Sequence, residues 1–132
     1  MNEFDIIDLV HDYVAAAGTG MTIYKDWSIT GVKENHIVIG MLDYNHLDWN
    51  NVLPVNVNIF VQLSPNGMPK RSVMKEAVEK VRTELKKINP IGGQYRSIII
   101  EGSNRLKGAK EGFDCMNIKV IIETEKNIED YG

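Results

Sequence analysis

The run from Leu53 to Ile88 constrains the fold more than any other part of the chain. In Val55-Asn56-Val57-Asn58-Ile59-Phe60-Val61-Gln62-Leu63 a branched apolar residue returns at every second position, the pattern of a strand with one buried face. Asn56, Asn58 and Gln62 fall on the other face, with Phe60 its one apolar member. Ser64-Pro65-Asn66-Gly67 breaks the strand, and the period then changes. Val73, Met74, Ala77, Val78, Val81, Leu85 and Ile88 recur at three- and four-residue steps, on one stripe of a helix. A half-buried strand and a one-sided helix each need cover, and the short link lets them cover each other.

The 132 residues fit one domain, 1–132, with enough chain to bury a core. A hydrophobic share of 43% and a charged share of 25% exclude a disordered chain. The formal charge of -3 gives no global pull towards nucleic acid or anionic membrane. Its distribution is uneven: residues 66–110 carry eleven Lys/Arg against four acids, and residues 1–65 two against eight. If the fold separates these charges, unlike surfaces suit head-to-tail contact between copies; otherwise they are ordinary solvated charge. Cys115 is the only cysteine, which excludes an intrachain disulfide and a cysteine-based zinc site. No apolar run approaches the roughly 20 residues of a membrane helix. The start, Met1-Asn2-Glu3-Phe4-Asp5, is acidic where a signal peptide is basic, so a reducing cytoplasm is the expected compartment.

Phe4 to Ala17 reads as a helix with Ile6, Leu9, Val10, Tyr13, Val14 and Ala17 inward, Asn2 as N-cap, and Gly18 and Gly20 as its stop. His11 borders the stripe and reads as an edge residue. Met21–Thr30 is expected as a first strand with Met21, Ile23, Trp27 and Ile29 inward. Gly31–Asn35 is a turn and His36–Leu42 a second strand, the two forming a hairpin. After the alternating strand, Pro69 and Ser72 compete to start the long helix. Lys70, Arg71, Lys75, Arg82 and Lys86 give it a basic face, but Glu76, Glu79 and Glu84 are interleaved, which favours a solvated surface over a nucleic-acid site. Gln94–Arg105 is a fourth strand, with Ile98 and Ile100 on one face and Ile99 on the other. Met116–Thr124 is a fifth, its apolar residues alternating with Asn117, Lys119 and Glu123. Cys115 falls on the polar side with no evident His partner. Leu106–Phe113 between these strands lacks the spacing of a phosphate loop and reads as a flexible hairpin tip that orders on a partner. The tail from Asn127 to Gly132 is expected to fray.

The segment Asp43–Asn51 is the strongest candidate for chemistry. Asp43, His46 and Asp48 suit a divalent cation, but no third or fourth ligand from elsewhere is evident, and a polar connection has the same composition. Trp49 is either a contact residue or a lid folded onto the core.

The expected architecture is α+β: an antiparallel sheet of about five strands, two helices packed on one face, order α-β-β-β-α-β-β. It requires the Val55 face and the Met116 face to be one side of the sheet. With Val55–Leu63 leading into Met74–Ile88, then Gln94–Arg105 and Asp114–Glu125, the chain resembles the tail terminator (tail completion) proteins of long-tailed bacteriophages, the minor tail protein U-like group. The likeness is one of element order and length over nearly the whole chain. It implies a structural virion protein of the tail and neck, assembled in the host cytoplasm. Copies would form a homo-oligomeric ring, typically a hexamer, that caps the tail tube and joins it to the capsid connector. DNA would pass through the lumen without sequence recognition. No catalysis, cofactor, metal or membrane is implied. The candidate oligomer or partner contacts are Arg105, Lys107 and Lys110 on the tip, with Trp49 and His46 from the earlier loop. The alternatives are a small cytosolic ferredoxin-like ligand-binding or regulatory domain, and a metal-dependent hydrolase using Asp43, His46 and Asp48.

Overall fold

The computed structural model describes residues 3–41, 52–88, 95–99, 104–106 and 108–124. The elements follow as α1 (Glu3–Ala16), β1 (Thr22–Lys25), β2 (His36–Met41), β3 (Val52–Gln62), α2 (Arg71–Leu85, continued by a 3-10 turn Lys86–Ile88), β4 (Tyr95–Ile99), β5 (Asn104–Arg105) and β6 (Phe113–Thr124). Among the described residues the strands form one sheet in the order β1-β2-β3-β6-β4, with β5 also pairing β6. The expectations for Asn2, for the loop Asp43–Asn51 with His46 and Trp49, for Asn89–Gly93, for the side chains of Ile98–Ile100, for Lys107 and for the tail from Asn127 lie outside the described residues.

Register decides which side chains share a face. Val55 pairs Val120, Val57 pairs Ile118 and Ile59 pairs Met116. On the other side of β3, Ile37 pairs Ile59 and Ile39 pairs Val57. The apolar positions of three strands therefore point to one side, as the architecture requires. Ile6, Val10 and Val14 of α1 and Met74, Ala77, Val81 and Leu85 of α2 close over that side, all buried in one cluster. Each of these side chains larger than Ala77 contributes about 1.5–3 kcal/mol by leaving water. Along the sheet, α1 lies over β1, β2 and β3, whereas α2 lies over β3, β6 and β4.

The sheet is mixed, not antiparallel throughout. β1 and β2 run parallel, Thr22 beside His36 and Lys25 beside Ile39, so the expected hairpin does not form. The reason lies in residues 26–35. Asp26 has a positive φ of 72°, and its N–H donates to the Ile39 carbonyl at 2.7 Å, which turns the chain out of the strand at Lys25. The following link is long enough to return to the sheet's other end before β2 begins. It crosses the side away from the helices: a Cβ on Gly40 would lie 3.6 Å from the Asp26 carbonyl oxygen. Trp27 and Ile29, expected inward, are 78% and 67% exposed on this link.

Two further expectations are corrected. The single strand read over Gln94–Arg105 is two segments, β4 and β5, on the same edge of β6. The register moves by two residues between Ile99–Val120 and Asn104–Asn117, since five steps on one side meet three on the other. At α2 neither Pro69 nor Ser72 caps the helix; Lys70 holds the N-cap position and makes no side-chain cap bond.

Candidate partner-binding surfaces

Helical geometry sorts the charges of α2 into two flanks that the linear sequence interleaves. Glu76 pairs with Lys80 at 3.0 Å, and Glu84 pairs with Lys87, both on one flank. Arg71, Lys75, Arg82 and Lys86 occupy the other, with Glu79 the one acid among them. That second flank overhangs the β5–β6 edge and forms a groove of about 770 Å³. Met74, Val78 and Met116 make its apolar floor, and Arg105 of β5 supplies a fifth cation. The three acids that the sequence interleaves with these cations divide between the flanks, Glu76 and Glu84 on the first and Glu79 on the second.

Arg105 is fixed rather than free to swing. Its Nε lies 2.9 Å from Asp114 Oδ1 and its Nη2 3.2 Å from Oδ2, a two-point pairing with a carboxylate only 4% exposed. The Arg105 side chain is itself 48% exposed and walls both the groove and a second cavity of about 470 Å³. Leu63, Pro69, Leu106 and Phe113 are among the residues lining that cavity.

Lys110, the other described tip cation, turns inward. Its Nζ lies 3.2 Å from His36 Nε2 and 3.3 Å from Ser28 Oγ, above the rings of Phe60 and Phe113 at 5.5 and 5.2 Å from their centroids. His36 is fully buried and stacks on Phe60 at 4.7 Å, with Tyr24 and Phe113 edge-on. Its Nδ1 lies 2.8 Å from the Glu34 carbonyl, so Nδ1–H donates there and Nε2 is left to accept from Lys110. That network assigns a neutral ring. Burial pushes the His36 pKa down and the Lys110 charge adds to this, against the Glu34 carbonyl bond and carboxylate. The tip is also tied by backbone bonds, Leu106 N–H to Cys115 O at 2.9 Å and Leu63 N–H to Gly112 O at 3.0 Å. Phe60, the apolar exception among Asn56, Asn58 and Gln62 on the polar face of β3, was the sequence signal for this second cluster. Beside it, Asn117 Nδ2 donates to Asn56 Oδ1 and Asn58 Oδ1 at 3.0 and 2.7 Å.

Cys115 faces this same side and is buried. Burial, with the Asp114 charge, pushes its thiol up to about 12, so it is protonated at neutral pH. Among the described residues no three His, Cys, Asp or Glu side chains come together as a metal site. None of the described helices is long and apolar enough to cross a membrane.

The outer face of α1 is the electrostatic opposite of the groove. Asp5, Asp8 and Asp12 are exposed on it, and Phe4 projects beside them, 63% exposed. Asp8 Oδ1 lies 2.5 Å from Lys25 Nζ at the end of β1, which sets this face towards the β1 side. Acidic and basic surfaces thus occupy opposite halves of the helical layer. No protein-family model matches this sequence, and no curated protein shows significant similarity to it.

Proposed function

We propose that this chain is a structural, non-catalytic subunit of a self-assembling ring, of the tail-terminator kind, that closes a phage tail tube and joins it to the capsid connector. The observation that carries the reading is the fixed separation of charge: an acidic helix over one half of the sheet and a basic groove over the other. A rigid body with unlike surfaces on two flanks favours heterologous contact between copies, and such contact closes into a ring when the rotation permits. The order of elements, with a long amphipathic helix between the alternating strand and the final pair, supports the tail-terminator form of that ring. A cap of this kind ends growth by covering the last tube subunits while presenting a different face beyond them.

Two measurements test the reading. Sedimentation and negative-stain microscopy of the purified chain are expected to show closed oligomers that grow with concentration. Addition to polymerising tail-tube protein is expected to shorten the tubes and place density at one end. A chain that stays monomeric and leaves tube length unchanged overturns it.

A further inference from the structure

We propose that the groove along α2 receives the acidic face of α1 from a second copy, with Phe4 of that copy seated on the floor of Met74, Val78 and Met116. The proposal rests on the ring reading and names the surfaces that would make the ring.

The two surfaces match in chemistry. The groove combines cationic walls with an apolar floor, and α1 presents carboxylates around a projecting aromatic ring. A nucleic-acid backbone would use the cations alone and leave the floor unused; base stacking would need aromatic rings, and none of the described residues lining the groove is aromatic. An amphipathic acidic helix uses both.

They match in size as well. Asp5 and Asp12 are seven residues apart on α1, as are Lys75 and Arg82 on α2, each span being about 10 Å of helix. The groove from Arg71 to Lys86 runs about 22 Å, close to the full length of α1.

The pairing cannot form inside one chain. The core-facing side of α1 is locked by Ile6, Val10 and Val14, which turns Asp5, Asp8 and Asp12 out of the core, with Asp8 beside Lys25 at the end of β1 and Asp12 beside His11. The groove lies on the far flank of α2, over the β5–β6 edge. Only another copy can bring the two together, and because the surfaces differ, each copy still offers one of each. The contact therefore propagates head to tail.

Reciprocal charge reversal tests this. One variant carries Asp8→Lys and Asp12→Lys, the other Lys75→Glu and Arg82→Glu. Each alone is expected to weaken self-association about 10- to 100-fold by sedimentation. Mixed in equal amounts they are expected to associate again as alternating copies, since each supplies what the other lacks. Phe4→Asp, at an exposed position, should weaken association without lowering the melting temperature. If the unaltered chain assembles and both reversal variants assemble equally well, or if the mixture fails to recover, the interface is overturned and the ring reading stands. If the unaltered chain does not assemble at all, both fall. A groove variant that loses affinity for a labelled oligonucleotide but assembles normally assigns the groove to a polyanion and also overturns the proposal.

Discussion

Protonating the buried His36 would set two cations 3.2 Å apart. The folded-state pKa is therefore held below 6.5, and the unfolded chain binds the proton first. The sign follows: His36 contributes no pH slope above 6.5, and stability falls as the pH drops below 6.5 towards the folded-state pKa. Urea unfolding between about pH 7.5 and 5.5, above most carboxylate titration, is expected to show this loss. Lys110→Met should shrink it without removing it, because burial is the larger cause. An imidazole resonance of His36 that titrates at or above 6.5 would refute the neutral buried ring. Cys115 offers a second readout on the same face. With its thiol pushed up to about 12, only roughly one part in ten thousand is thiolate at about pH 8. Alkylation by iodoacetamide is expected to be slow in the native protein and fast in urea; rapid native labelling would show that this face opens.

The elements that the sequence made legible are those whose signal is local. The alternation of β3 and β6 and the stripes of α1 and α2 each depend on period alone, and each forms where the period places it. The parallel pairing of β1 and β2 depends instead on where a link of residues 26–35 travels, and no period encodes that. The groove was hidden for a related reason: Glu76 and Glu84 neighbour the cations in sequence but lie across the helix from them. His36 was hidden because its partners come from two distant segments, Phe60 from β3 and Lys110 and Phe113 from the tip. The start of α2 breaks a local rule. Lys70 and Arg71 sit at the positive end of the helix dipole, with no acid in the first turn and no side-chain cap. Positive charge kept where it destabilises the helix is expected when a partner uses it. Lys70→Asp should add about 0.5–2 kcal/mol of stability by capping the helix and complementing its dipole, read by chemical denaturation. An unchanged or lowered midpoint would mean that Lys70 makes compensating contacts in the folded chain.

For the whole molecule the decisive property is that folding and assembly draw on different forces. The core is apolar, a single cluster between the sheet and two helices, and salt at moderate concentration leaves such burial almost untouched. The surfaces proposed to join copies are charged and face solvent, where screening acts fully. The Debye length falls from about 10 Å at 0.1 M salt to about 3 Å at 1 M, less than the separation across a solvated ion pair. Raising salt over that range is therefore expected to dissociate the oligomer while the melting temperature of the monomer fold stays level. Sedimentation and thermal denaturation on the same samples separate the two quantities. The opposite trend, tighter association at high salt, would point to an apolar contact instead. The two most exposed large apolar side chains among the described residues are Trp27 and Ile29, on the link between β1 and β2, which lie near the tip through the Ser28–Lys110 bond. In that outcome Trp27→Ser would dissociate the oligomer, the reversal of Lys75 and Arg82 would not, and the ring would be built from the sheet's open side rather than from its helices.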